Sequence, residues 1–485
     1  MAFSGKQLVG AVRLTIALWG LLLAVFVASP TSAAEPPTTD GQPNIVIFFI
    51  DDLGRCDLGV DGSTFYETPQ LDALAAAGVR FTDFYAACAV CSPTRAALMT
   101  GKVPQRLGIT DWIHPASGVA LPGSETTLAE AFQAGGYQTA YLGKWHLGET
   151  DADQPPRHGF EWIKGVNRAG QPGSYYFPFK RPNGDSKIWD VPDFADGNPS
   201  DYLTDVLTTG AIEFLNTRDA SRPFLLCMGH YAVHTPIQPP TDGVSKYQQK
   251  RAACFGDSPT PTIPTLFKAG SRGRQDDPPY AAMIENLDDN VGRVLAALDK
   301  LGLRENTIVV FTSDNGGLCT TAGRRPGPTC NLPYRGGKGW NYEGGIRVST
   351  LIAWPGHLRP ATTSVPAFTA DLYPTLLELC GMPLRPAQHV DGQSLVSAMQ
   401  GDPRPALRER ALAWYYPHDH GSGHRPSAAI RRGDWKLIHY LKEGRTELYD
   451  LAADPGELHD LAESRADKVS ELRGELLRWI DETTQ

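Results

Sequence analysis

Five runs of apolar residues recur along the chain with little polar interruption. They are 44–50 (NIVIFFI), 138–142 (QTAYL), 223–228 (PFLLCM), 307–312 (TIVVFT) and 350–354 (TLIAW). They are short and do not alternate with polar residues, which predicts strands buried on both faces, as in a parallel or mixed sheet. Between them, apolar positions recur at helical spacing over 69–77, 127–134, 201–216 and 280–301. Strands alternating with helices predict an α/β fold, a large mixed sheet flanked by helices. Past residue 400 the texture changes. Segments 428–440 and 447–451 read as hairpin strands, and Val469, Leu472, Leu476 and Ile480 lie at helical spacing over 467–480. This predicts a smaller α+β subdomain over 401–485, with the main domain over 35–400. Two stretches, 167–199 and 255–279, are rich in Gly, Pro and small polar residues and read as surface insertions that shape a binding site.

The first 34 residues stand apart. They hold no acid, Lys6 and Arg13 lead an apolar run over 14–28, and Thr31-Ser32-Ala33-Ala34 follows. That is the layout of a secretory signal peptide, so 1–34 is set aside from the fold and the protein is expected to be exported, periplasmic or secreted. An uncleaved anchor is the competing reading, but the apolar run is shorter than the ~20 residues of a spanning helix. No stable membrane insertion is expected.

Composition narrows the function classes. The 485 residues carry 45 Lys and Arg against 54 Asp and Glu, a net charge of −9. An acidic chain is a poor binder of phosphate backbones, so nucleic acid is not an expected partner. The hydrophobic content of 41% excludes a disordered chain. The eight cysteines are too sparse for a disulfide scaffold and are read singly.

The chemistry gathers where the predicted strands end, which is where α/β sheets bind ligands. The first strand runs into Asp51-Asp52, and the fourth into Ser313-Asp314-Asn315-Gly316. Either pair alone suits a turn or a helix cap. Together, after two buried strands, they form an all-oxygen set that suits Ca²⁺ or Mg²⁺. The second strand leads to Lys144-Trp145-His146. In an extended chain Lys144 and His146 point the same way, a pairing that suits an anionic substrate. The third leads to His230 and His234, either of which could serve as a general acid. Lys338 sits in a glycine-rich loop without nucleotide-binding spacing. In Cys91-Ser92-Pro93-Thr94-Arg95, Pro93 suits a first helical turn and Gly101 a stop. Cys91 then lies at a helix N-terminus, with Arg95 a turn later. A thiolate nucleophile and a Cys88–Cys91 disulfide both remain open for it.

These motifs, in this order, resemble the sulfatase family, of the arylsulfatase and N-acetylgalactosamine-6-sulfatase type, over nearly the whole chain after residue 34. The carriers are Asp51-Asp52-Leu53-Gly54, Cys91-Ser92-Pro93-Thr94-Arg95, Gly143-Lys144-Trp145-His146-Leu147-Gly148, His234-Thr235-Pro236, Ser313-Asp314-Asn315-Gly316, Lys338 with Glu343-Gly344-Gly345, Gly433-Asp434-Trp435-Lys436-Leu437 and Leu448-Tyr449-Asp450-Leu451. The resemblance implies an alkaline-phosphatase-like fold and a sulfuric ester hydrolase. It implies that a formylglycine-generating enzyme converts Cys91 to Cα-formylglycine. It implies one Ca²⁺ held by Asp51, Asp52, Asp314, Asn315 and the residue at 91. Arg95 would support the nucleophile, His146 would orient it, and Lys144, His234 and Lys338 would hold the sulfate. The substrate would be a sulfated sugar or an aryl sulfate, with His230, Trp112, His418 and His420 as candidate rim contacts. A phosphodiester or phosphonate monoester hydrolase and an inactive sulfoglycan-binding protein are the alternatives. With Cys91 converted, seven thiols remain, and Cys319 with Cys330 is the expected disulfide.

Overall fold

The computed structural model describes residues 41–182, 184, 187–322 and 327–485. The expected signal peptide lies outside them. Strands Asn44–Ile50 (β1), Val79–Phe81 (β2), Gln138–Gly143 (β3), Trp162–Lys164 (β4), Phe224–Gly229 (β5), Thr307–Ser313 (β6), Thr350–Ala353 (β7) and Ala361–Thr363 (β8) form one sheet, in the order β8-β2-β7-β6-β1-β5-β3-β4. All neighbours pair in parallel except at β7, which runs against β6 and β2.

Both faces of the sheet are dry, as the unbroken apolar runs require. Ile45, Ile47 and Phe49 of β1 enter one core cluster, and Val46, Phe48 and Ile50 enter the other. Helices Pro69–Ala77, Leu203–Thr217 and Pro278–Lys300 cover the second face, contributing Leu71, Leu207 and Leu287. Helices Leu128–Ala134 and Leu372–Leu379 cover the first, contributing Phe132 and Leu376.

The five apolar runs and the four expected helices are all present, with ends shifted by a residue or two. The short outer strands β2, β4 and β8 have no counterpart in the sequence reading. Each has three residues, too few to show a period. After residue 400, strands Ala411–Tyr416, Ser427–Arg432, Trp435–Tyr440 and Thr446–Asp450 form an antiparallel sheet. Alternate residues face opposite ways. Ala428, Ile430, Leu437 and Leu448 meet Leu472 and Leu476 of helix Ala466–Thr484, while Trp414, Ala429, Ile438 and Tyr440 pack against Tyr85, Trp340 and Tyr342.

Two expectations need correction. Segment 255–279 supplies the hairpin Thr262–Pro264 and Ala269–Arg272, which joins Thr320–Ala322 in a small sheet. It does not reach the cavity described below. All eight cysteines are free thiols, so neither the Cys319–Cys330 nor the Cys88–Cys91 bridge is formed. Cys319 Sγ instead turns to the Gly336 carbonyl at 2.9 Å. Among the described residues no helix is long and apolar enough to cross a membrane.

Candidate functional site

Strands β1 and β6 lie side by side in parallel, so their C-terminal ends deliver Asp51-Asp52 and Asp314-Asn315 to one place. Asp52 N–H donates to Asp314 Oδ1 at 3.2 Å, and Asn315 Nδ2 donates to Asp52 Oδ1 at 2.8 Å. Asp52 adopts φ 61°, a left-handed conformation that a non-glycine residue holds only when its surroundings enforce it. Beside them, helix Cys91–Thr100 starts at Cys91. One turn in, Arg95 donates to Asp314 Oδ2 through Nε at 2.9 Å and Nη2 at 2.7 Å, and through Nη1 to the Lys144 carbonyl at 2.8 Å. Its guanidinium is thus occupied in bracing the acidic cluster.

At the end of β3, Gly143 takes φ 82° and His146 takes φ 57°. The chain is therefore not extended here, and the expected common direction of Lys144 and His146 is not found. Lys144 Nζ reaches Asp51 Oδ2 at 2.7 Å, wholly buried behind that carboxylate. His146 turns to Cys91 instead, with Nδ1 3.3 Å from the thiol sulfur. Its Nε2 lies 3.0 Å from the Ile113 carbonyl, which can only accept, so Nε2 carries the proton and Nδ1 the lone pair. Burial, then Lys144, holds the His146 pKa well below the usual histidine value. Burial also raises the Cys91 thiol, against the pull of Lys144 and Lys338. Position 91 is therefore a poor place for a free thiolate.

Lys338 Nζ lies 2.7 Å from Asp52 Oδ1. Its loop is fixed by Lys338 N–H on Gly317 O at 3.1 Å and Gly339 N–H on Ala89 O at 2.8 Å. One loop thereby spans the Asp314-Asn315 turn and the approach to Cys91. Burial raises the Asp52 carboxyl, but Lys338 and His234 outweigh it and leave the group below the carboxylate range. Asp51 moves the other way, pushed well up by burial against Lys144 and reinforced by Asp314. His234 Nε2 lies 3.6 Å from Asp52, and burial, then Lys338, pushes His234 down to about 3.

Two buried oxygens in this cluster, Asp51 Oδ1 and Asn315 Oδ1, have no hydrogen-bond partner. Asp51, Asp52 and His234 offer ligand atoms within 4.8 Å of one another. Unpartnered buried oxygens on hard donors fit a divalent cation such as Ca²⁺.

A cavity of about 400 Å³ opens above Cys91, His234 and Lys338. Of the residues expected at the substrate rim, Trp112 and His420 line it. His418 does not; it bonds Thr110 Oγ1 at 3.0 Å. His230 is also misplaced by that reading. It is fully buried, stacks on Phe48, and lies off the cavity, because residue 230 is still held by the sheet through its N–H on Phe49 O. Asp111, Glu149, Gln171 and Trp189 line the cavity too and were not found from sequence. No spacing marks them, although Gln171 and Trp189 belong to the 167–199 insertion.

A family model described as Sulfatase matches residues 43–382, and one described as N-sulphoglucosamine sulphohydrolase, C-terminal, matches residues 337–484. Arylsulfatase A of Homo sapiens is 34% identical, over 91% of this chain and 86% of that protein. N-acetylgalactosamine-6-sulfatase of Mus musculus is 33% identical, over 81% and 72%. The crystal structure of Ps i-CgsB in complex with k-i-k-neocarrahexaose superposes with a TM-score of 0.76 at 27% identity, over 92% of this chain and 94% of that one.

Proposed function

The chain belongs to the sulfatase family and is a sulfuric ester hydrolase, and on that footing we propose that it is an exported enzyme cleaving O-sulfate esters of carbohydrates, with formylglycine at position 91 and one Ca²⁺. The observation that carries this reading is the placement of Cys91, on a helix N-terminus at the cavity floor, facing a lone pair of His146. Asp51, Asp52, Asp314 and Asn315 would hold the cation. Bound there, it supplies positive charge that neutralises the buried carboxylates and draws in an anionic ester. An aldehyde at 91 supplies, as its hydrate, two hydroxyls on one carbon.

The rest falls to the protein's own side chains. His146 Nδ1 accepts a proton from the group at 91, and its bond to Ile113 keeps the ring aimed there. Lys338 lines the cavity and keeps its proton, because the Asp52 carboxylate beside it favours the charged form against the lowering by burial. It binds a sulfate oxygen and offers a proton at Nζ to the departing alcohol oxygen. His234 contributes as a neutral ring. Arg95 holds Asp314 in place and Lys144 holds Asp51, so both shape the floor from behind.

A sugar substrate is supported by the N-acetylgalactosamine-6-sulfatase relative and the k-i-k-neocarrahexaose complex. Export and maturation by a formylglycine-generating enzyme are supported by the 1–34 pattern and by Cys-x-Pro-x-Arg at 91–95. The test is mass spectrometry of the peptide spanning Cys91 from natively expressed protein, with turnover of 4-nitrocatechol sulfate. Formylglycine is expected at 91, and Cys91→Ala is expected to fold and lose turnover. Unmodified cysteine in active protein, or activity retained in Cys91→Ala, overturns the mechanism.

A further inference from the structure

The cavity above Cys91 is charged differently at its two ends. Lys338 and His234 stand at the floor, and Lys338 is the one Lys or Arg among the described lining residues. The walls carry the carboxylates of Asp111, Glu149 and Asp419. Asp419 is offset by Arg425 at 3.1 Å and Lys442 at 2.8 Å. The Glu149 carboxylate forms no ion pair among the described residues and accepts only the Ala116 N–H, at 2.9 and 3.1 Å; Arg168, which donates to the Glu149 carbonyl at 3.2 Å, is itself paired with Asp151. Asp111 accepts from Trp112 N–H at 2.8 Å and Tyr416 OH at 2.9 Å, and meets His114 at 3.3 Å. The walls are thus net negative through Asp111 and Glu149.

The same walls present flat apolar surface. The Trp112 ring lies against His114 with centroids 3.6 Å apart. Trp189 carries the Arg181 guanidinium 4.0 Å from its ring centroid, which braces the indole. Arg181 itself is not a lining residue.

We propose that this cavity selects sulfate esters whose remaining part bears no second negative charge, with Asp111 and Glu149 as specificity-determining residues and Trp112 and Trp189 as stacking surfaces for a neutral or cationic ring. This rests on the sulfatase reading above. The sulfate is drawn to the floor by Lys338, which brings a second anionic group on the same ring up against the wall carboxylates. At separations of several ångströms in a partly desolvated site, each carboxylate disfavours such a group by roughly fivefold. A neutral ring stacks on the indoles without that opposition, and a cationic ring gains from both.

Three aryl sulfates test this without knowledge of the natural sugar: 4-nitrophenyl sulfate, 4-carboxyphenyl sulfate and 4-(trimethylammonio)phenyl sulfate. Turnover is measured on matured enzyme, and binding by calorimetry on Cys91→Ala protein. The expected order of binding is cationic, then neutral, then carboxylate. Glu149→Gln and Asp111→Asn are each expected to raise kcat/KM for the carboxylate probe relative to the nitro probe roughly fivefold, a ratio in which intrinsic reactivities cancel. High salt is expected to narrow the wild-type preference. Binding that favours the carboxylate probe, or a ratio unmoved in both variants, overturns the inference. The expected binding order without turnover of any probe upholds the cavity's selectivity and overturns the sulfatase mechanism, so the two failures are told apart.

Discussion

At the scale of single residues, the site depends on groups held in conformations that cost energy alone and are enforced by neighbours. His146 holds φ 57°, and it keeps one tautomer because its Nε2–H donates to the Ile113 carbonyl. Gly170, from the 167–199 insertion, packs directly on the His146 ring, and a Cβ there would overlap it. Gly170→Ala is therefore expected to displace the imidazole from Cys91. The outcome is a fall in kcat of about a hundredfold or more, the scale of a lost general base, with KM changed much less and thermal stability close to wild type. Steady-state kinetics beside a thermal melt check this, and unchanged kcat would show that the insertion plays no part in positioning His146. The ligand-type residues were legible one by one, since Asp51, Asp52, Asp314 and Asn315 each follow a buried apolar run. The direction of His146 was not legible, because alternation along a strand fails where the backbone turns left-handed.

At the scale of elements, the turn before Cys91 is held by one hydroxyl. Thr94 Oγ1 accepts from Cys88 N–H at 3.1 Å and lies 3.0 Å from the Cys88 carbonyl and 3.2 Å from that of Val90. These bonds close the turn before helix Cys91–Thr100, which has no side-chain N-cap. Thr94→Val keeps the shape and leaves buried backbone groups unpaired. It is expected to cost about 1–3 kcal/mol, measured by urea unfolding. A cost near zero would mean the turn is set by packing alone. The helix could be seen in the sequence from Pro93 and Gly101, whereas the turn before it could not, because its partners are backbone atoms.

At the scale of the whole molecule, the C-terminal sheet is tied to the segment following the Lys338 loop by a buried ionic cluster. Lys436 Nζ meets Glu343 Oε1 and Glu457 Oε1, both at 2.8 Å, and all three side chains are inaccessible. Glu457 Oε2 accepts the Glu343 N–H at 2.6 Å, five residues beyond Lys338. Burial pushes the Glu457 carboxyl up to about 7, against Lys436 and with the help of Glu343. A carboxyl raised in the folded state contributes stability that is full below its unfolded pKa, near 4.5, and lost as pH rises to about 7. Wild type should therefore lose melting temperature between pH 5 and pH 8, and Glu457→Gln should lose less over the same interval. Equal losses would show that Glu457 does not titrate there. The Glu343-Gly344-Gly345 and Trp435-Lys436 motifs were visible as separate features, but nothing in their spacing pairs residues so far apart in the chain.

By itself the sequence determined the alternating α/β order, the buried strands and the oxygen-bearing residues at their ends, because these follow from local periodicity and from neighbours in the chain. Family membership was legible too, through motifs that each lie within a few residues. The tertiary structure alone decided which face of each strand end meets the site. It sent Lys144 behind Asp51, His146 to Cys91 and His230 into the core. It alone also assembled the cavity wall, since Asp111, Glu149 and Trp189 come from three separate segments outside the sheet that share no period. The physical reason is that periodicity records which side of an element is dry, while a cavity is built by loops whose partners lie far away in sequence.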